Sequence, residues 1–179
     1  MRDIEEKRTM IINIAAIPAG TSTQDLSLSA ALMELPENFS GDVQTHVTIE
    51  KSSWQITAAI EAHVNAACEC DRCAEQYVQR IETSFRQIYT WNGTERTATE
   101  EEDVFVLDAG QKKIDLTGSV REYLLLAVPA KTLCREDCLG LCMICGTNLN
   151  ERNCGCTPET GDVRWSALQN LASRNEPHS

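Results

Sequence analysis

Six of the nine cysteines in this 179-residue chain fall between Leu133 and Cys156, in the order Cys134-x3-Cys138-x3-Cys142-x2-Cys145-x8-Cys154-x-Cys156. Thiolates at such spacing bind metal. Cys142-Met143-Ile144-Cys145-Gly146 reads as a knuckle, a tight turn that aims two sulfurs at one point, with the glycine after the second cysteine relieving backbone crowding. Tetrahedral zinc takes four ligands at about 2.3 Å. Two more must come from Cys134, Cys138, Cys154 and Cys156, and spacing alone does not choose them. The plainer reading is a set of buried or disulfide-bonded cysteines. Six are hard to bury in one Gly- and Asn-rich loop, and disulfide frameworks belong to secreted chains. A catalytic zinc keeps an open position beside His or carboxylate ligands, and no histidine lies in or near the segment. The expected cofactor is structural zinc.

The other three cysteines stand in Cys68-Glu69-Cys70-Asp71-Arg72-Cys73. Cys70-x2-Cys73 reads as a second half-site, a redox pair, or two small apolar residues closing a barrel end. A thioredoxin-like dithiol sits at the start of a helix, where the helix N-terminus lowers the thiol pKa. Here a strand-like run follows, so that activation is missing. Should Cys70 and Cys73 reach the later segment, the two CxxC turns would share one zinc as paired knuckles.

A sheet must position these turns. Met10 to Ile17 suits a buried strand closed at Pro18-Ala19-Gly20, and the first half of Gln24 to Leu35 reads as a second strand. Three runs then alternate with period two. Val43, Val47 and Ile49 oppose Gln44, His46 and Glu50. After a turn at Lys51-Ser52-Ser53, Trp54, Ile56, Ala58, Ile60, Ala62, Val64 and Ala66 fill every even position. Tyr77, Ile81, Phe85 and Tyr89 oppose Arg80, Glu82, Ser84 and Arg86. This predicts an antiparallel meander with one wet face, on which His46 and His63 are solvated. Trp91 to Asp103, with Glu100, Glu101, Glu102 and Asp103, reads as a solvated acidic loop. Val104 to Leu107 and Ile114 with Leu116 follow as a strand and its return. Thr117 or Ser119 caps a helix through Val120, Tyr123, Leu124 and Ala127, with Glu122 completing a capping box from Ser119 and Pro129 ending it. Asp162 caps a last helix with Trp165, Leu168 and Leu171 on one face, followed by a tail carrying His178.

The predicted fold class is α+β: an antiparallel sheet or partly closed barrel with a following helix over 1–130, then a cysteine-rich zinc module over 131–179 with the last helix packed on it. The net charge is −11, and a zinc held by four thiolates adds a local −2. Such a surface repels a phosphate backbone unless basic groups concentrate locally. The N-terminus, MRDIEEKRTM, is charged rather than a signal peptide, and no apolar run approaches the roughly 18 residues of a membrane span. Metal-type cysteine spacing points to a reducing, cytoplasmic compartment.

The string from Ile114, IDLTGSVREYLLLAVPAKTLCREDCLGLCMICGTNLN, followed by CGC and GDVRWSALQNL, resembles the YceD family, the large ribosomal RNA subunit accumulation proteins of bacteria and plastids. Cys70-Asp71-Arg72-Cys73 after a long strand resembles that family's other hallmark. Ala74 stands where the family usually has Leu, Asp162-Val163-Arg164 where it usually has Asp-Pro-Arg, and Cys68 is extra to the pattern. Some members lack most of the later cysteine cluster, so a metal would not be the whole function. The resemblance implies a cytoplasmic, non-catalytic factor for accumulation of large-subunit (23S) ribosomal RNA.

No paired-carboxylate metal site and no Ser/His or Cys/His constellation supports an enzyme. Charge complementarity favours a basic ribosomal protein or assembly factor of the large subunit as partner, and no membrane. One alternative is direct RNA binding through a patch of Arg72, Arg80, Arg86, Lys112 and Lys113. Another is a thiol redox or zinc-dependent enzyme.

Overall fold

The computed structural model describes residues 9–91 and 103–157. The acidic stretch Glu100, Glu101 and Glu102, the helix read from Asp162 through Trp165, Leu168 and Leu171, and His178 lie outside them. Contacts divide the chain into two units, Met1–Cys70 with Glu75–Cys134 and Asp71–Ala74 with Arg135–Ser179.

The first unit is built on a five-stranded sheet in the order β2-β3-β4-β5-β6, formed by β2 (Gly20–Ser29), β3 (Phe39–Lys51), β4 (Gln55–Glu69), β5 (Gln76–Thr90) and β6 (Asp103–Val106). The pairs from β2 to β5 are antiparallel. The period-two pattern accounts for them: Val43, Val47, Ile49, Ile56, Ile60 and Val64 are all buried while their neighbours face out. The pair β5 and β6 runs parallel, so the sheet is mixed rather than wholly antiparallel. A parallel pair cannot be joined by a tight turn, and residues 91–102 give the connection its length. Strands β2 and β6 stand at the two edges, and the ladder does not close on itself among the described residues.

A second, two-stranded sheet pairs β1 (Ile11–Asn13) with β7 (Lys113–Asp115). The strand read over Met10 to Ile17 is therefore much shorter. Asn13 ends it: its side chain accepts from the Ala15 amide and its carbonyl from the Ala16 amide, which turns the chain. Lys51 then donates to the freed carbonyls of Ile14 at 2.7 Å and Ile17 at 2.8 Å. Trp54 belongs to a turn and is 44% exposed, not part of the buried face of β4. The Ser52 amide donates to the Gln55 carbonyl and the Gln55 amide to Ser52 Oγ, so the ladder starts one residue later.

Helix α1 (Thr117–Leu126) packs on the buried face of β4 and β5. Val120 and Leu124 are its buried positions, and Tyr123 stacks on Phe85 with ring centroids 4.0 Å apart. Its start differs from the capping box. Leu116 is the N-cap, and Asp115 Oδ1, two residues before the first turn, accepts the Thr117 amide at 2.8 Å. Thr117 Oγ1 instead accepts the Met10 amide, and Ser119 Oγ accepts from Gln87. The hydroxyls tie the helix to the residue just before β1 and to β5.

Gln87 is fully buried on the core face of β5. Its Nε2 donates to Ser119 Oγ at 2.8 Å and its Oε1 accepts the Tyr89 hydroxyl at 2.7 Å. Gln87→Leu is expected to lower stability by about 1–3 kcal/mol, because both partners lose a buried hydrogen bond. Urea denaturation measures this, and an unchanged midpoint would show that the amide adds nothing to holding the helix on the sheet.

Candidate metal centres

Two loops share one backbone plan. The Cys70 amide donates to the Glu75 carbonyl at 3.0 Å, and the Cys142 amide donates to the Thr147 carbonyl at 2.8 Å. In each loop the residue after the second cysteine is left-handed, Ala74 at φ 58° and Gly146 at φ 70°. Glycine takes that conformation freely, whereas an L-residue bears a cost of roughly 1–2 kcal/mol. Both are knuckles in backbone geometry.

The thiols gather in two groups of four. Cys70, Cys73, Cys134 and Cys138 form one, and Cys142, Cys145, Cys154 and Cys156 the other; within each, the Sγ atoms all lie within 4.8 Å of one another. A tetrahedron with 2.3 Å metal–sulfur bonds has edges of about 3.8 Å, so either group can close on an ion by small rotations of its side chains. Neither includes a histidine or a carboxylate. Four sulfur donors saturate a tetrahedral ion and leave no open position for a substrate. The two groups differ in setting. Cys70, Cys73 and Cys138 are buried and Cys134 half-buried, whereas Cys145 is exposed and its three companions half-buried.

The six cysteines of the Leu133 to Cys156 stretch therefore do not act as one pool. Cys134 and Cys138 fall in with Cys70 and Cys73, and the arrangement in which the two CxxC turns share an ion is not formed. Cys154 and Cys156 gather with Cys142 and Cys145, and local hydrogen bonding folds residues 138–150 around the knuckle that carries the latter pair. Leu141 and Asn148 form an antiparallel bridge, and the Leu149 amide donates to the Gly140 carbonyl at 2.9 Å. Asn150 accepts the Leu139 amide at 2.8 Å, and its Nδ2 donates to Cys138 Sγ at 3.3 Å and to Asn148 Oδ1 at 2.8 Å. Asn148 and Asn150 were not singled out in the sequence, although Asn at alternate positions is a turn signal.

Arg72 is the other organiser of the second unit. Its Nη1 donates to the carbonyls of Cys138 at 2.8 Å and Glu136 at 3.2 Å, and its own carbonyl accepts the Leu141 amide at 3.0 Å. That places it in the cysteine module's framework. Of the other candidate RNA-patch residues, Arg80 is ion-paired with Glu82. Arg86 shares its face of β5 but lies six residues away, about 20 Å along a strand. Lys113 belongs to β7 in the two-stranded sheet, with Lys112 just before it. Cys68 is a buried residue of the β4 core face and belongs to neither thiol group.

Without a cation, the thiols of the second group divide their protons unequally. The Thr147 hydroxyl, 3.2 Å from Cys145 Sγ, and the Thr147 amide hold Cys145 down at about 6. The amides of Cys145 and Ile144 lower Cys142. Hydrogen bonding to Cys145 and Cys154 pushes Cys156 up to about 12. Four negative sulfurs cannot share so small a space unaided, and a divalent ion removes the conflict. No helix among the described residues is long and apolar enough to cross a membrane.

Comparison with protein families matches residues 58–172 to the family described as Large ribosomal RNA subunit accumulation protein YceD. The chain is 22% identical over 175 residues to Large ribosomal RNA subunit accumulation protein YCED homolog 1, chloroplastic, of Arabidopsis thaliana, an alignment covering 84% of this chain and 54% of that protein. It is 25% identical to an uncharacterized protein of Mycobacterium leprae, over 76% of this chain and 62% of that one. An uncharacterized protein of Mycobacterium bovis is 31% identical over 56% of this chain and 47% of its own. The chain thus spans about half to three-fifths of the length of these curated relatives. No solved structure matches it.

Three outcomes test the geometry. Gly140 has φ 78°, and a Cβ there would stand 2.9 Å from the Arg72 carbonyl oxygen. Gly140→Ala is therefore expected to loosen residues 135–157 by about 2 kcal/mol or more, read as faster proteolysis of that segment. Ala74→Gly should raise the unfolding free energy by up to about 1 kcal/mol, read as a higher denaturation midpoint, since it removes left-handed strain at the cost of some chain entropy. At neutral pH Cys145 is a thiolate and Cys156 still carries its proton. Metal uptake should then release protons, and apparent affinity should fall as pH drops, more steeply below about 6 where Cys145 protonates as well. Competition with a chromophoric chelator across pH 8 to 5.5 reads this, and a flat profile would exclude thiolate ligation.

Proposed function

Since the chain belongs to the YceD family, we propose that it is a non-catalytic factor of ribosome synthesis that supports accumulation of large-subunit (23S) ribosomal RNA. The family match over 58–172 carries this reading. It acts in a reducing, cytoplasmic compartment, where the eight grouped thiols stay free to bind metal. The metal is zinc, one ion in each four-cysteine group. The donor sets favour this choice: four soft thiolates and no oxygen ligand select against magnesium, calcium and manganese. When bound, the ion neutralises the thiolates and fixes the loops. All four coordination positions are filled by sulfur, which favours a structural over a catalytic role.

The action on ribosomal RNA runs through a protein partner. A chain of net charge −11 is poorly suited to bind a phosphate backbone. Arg72 is engaged with carbonyl groups, Arg80 with Glu82, and Arg86 and Lys113 also have interaction partners, so four of the five candidate RNA contacts are already engaged. The partner is a basic ribosomal protein or assembly factor of the large subunit, drawn in by long-range attraction and shielded from misplaced contacts until RNA displaces it.

The gene should be deleted in its native host and the 23S to 16S ratio measured, with complementation by wild type and by Cys142→Ser/Cys145→Ser. Loss of 23S RNA rescued only by wild type is the expected outcome. An unchanged ratio in the deletion strain would overturn the proposal. Protein purified without chelator should carry two zinc ions per chain and eight protected thiols. Metal-free protein with freely reactive thiols would remove zinc from it.

A further inference from the structure

The outward face of the first unit's sheet carries a groove of about 540 Å³ across β2, β3, β4 and β5. Strand register builds its floor from cross-strand rows. One runs Asp25, His46, Glu61, Ser84; the next runs Ser27, Gln44, His63, Glu82. Arg80 lies beyond them at one side. Alternation sends every one of these side chains away from the core, so the groove carries polar and charged side chains, with Leu26 and Ala62 also contributing to its lining.

The charge on this face is lopsided. Asp25, Glu50, Glu61, Glu69 and Glu82 face out from it against Arg80 and Arg86, and it bears no lysine. The one lysine in these four strands, Lys51, reaches the carbonyls of Ile14 and Ile17. Within the groove Arg80 is taken up by Glu82, and the His46 ring meets Asp25 at 2.6 Å. Glu61 stands between them with no hydrogen-bond or ion-pair partner among the described residues. A concave wall around an unpaired carboxylate concentrates negative potential, because field lines gather where protein excludes water.

We propose that this groove is the docking surface for a lysine- and arginine-bearing segment of the partner, with Glu61 as the carboxylate that receives a cationic side chain directly and Glu82, released from its exposed pair with Arg80, as the second. This rests on the reading of the function as binding to a basic protein. Charge complementarity selects the occupant: a cationic side chain gains a partner at Glu61, whereas a nucleic-acid phosphate would meet carboxylates in both rows. Rows two residues apart repeat about every 7 Å along the strands, close to the spacing of alternate side chains in an extended peptide.

The test uses the full chain and a fluorescein-labelled ten-residue peptide of alternating lysine and threonine, followed by fluorescence anisotropy at low salt. The same peptide with glutamate for lysine is the blank. Wild type should bind the lysine peptide. Glu61→Gln/Glu82→Gln should bind it about tenfold more weakly and with a shallower salt dependence, at an unchanged melting temperature. The equal-charge control Glu37→Gln/Glu122→Gln, away from this face, should bind as wild type does. Equal loss in both double variants would reduce the effect to bulk charge and overturn the groove, as would failure of wild type to bind the peptide. Preference of wild type for a labelled ten-nucleotide uridine RNA would overturn it too. Purified basic large-subunit proteins give the last arm. Undiminished binding of one of them to Glu61→Gln/Glu82→Gln would overturn the groove while leaving the protein-partner reading standing.

Discussion

Repulsion among closely held sulfurs is the constraint on which the cysteine module depends. Four thiols whose Sγ atoms lie within 4.8 Å of one another cannot all ionise without a counter-charge. Thr147 holds Cys145 down at about 6 while hydrogen bonding to Cys145 and Cys154 pushes Cys156 up to about 12, so without an ion the sulfurs share protons rather than all ionising. The segment has little else to hold it. Among residues 131–157 only Cys138 and Gly140 are buried, and Leu139, Met143 and Ile144 are exposed. A chain that buries so little apolar surface does not offset the entropy of ordering itself, so its order must come from the sulfur groups and from the Arg72 and Asn150 hydrogen bonds.

The first unit is organised on the opposite principle. Its strands bury one face continuously, and Ala58, Ala62 and Ala66 on β4 keep that face low. Phe85 and Tyr123 stack where α1 crosses β5, and Gln87 is satisfied within this apolar layer by Ser119 and Tyr89. Among the described residues, α1 packs on the buried face and leaves the outward face of β2 to β5 uncovered. That face carries carboxylates, histidines and small hydroxyl residues in excess over its two arginines, with Val78 an exposed apolar residue among them.

The alternation of the long strands was legible because period two is a local property. Val43 to Ile49 and Ile56 to Ala66 declare their buried side without reference to anything distant. The shared knuckle plan was equally legible in Cys142 to Gly146, where the glycine announces the left-handed residue that the turn requires. At Ala74 the same backbone appears with a residue that does not announce it. The helix start was misread for a related reason. Thr117 and Ser119 are good caps in isolation, but tertiary contacts from Met10 and Gln87 claim their hydroxyls.

By itself the sequence determined the existence of the sheet, its buried side, the two CxxC turns and the all-sulfur character of the metal-type ligands, because residue type and short spacing encode each of these. Only the tertiary structure decided how eight cysteines sort into two groups. Cys70 and Cys134 are 64 residues apart in the chain, and no local pattern records that the loops carrying them come together. The parallel pairing of β6 and the gathering of Asp25, Glu61 and Glu82 from three strands into one groove were hidden for the same reason. Each depends on strand order and register, which the chain sets by burying all its apolar faces at once.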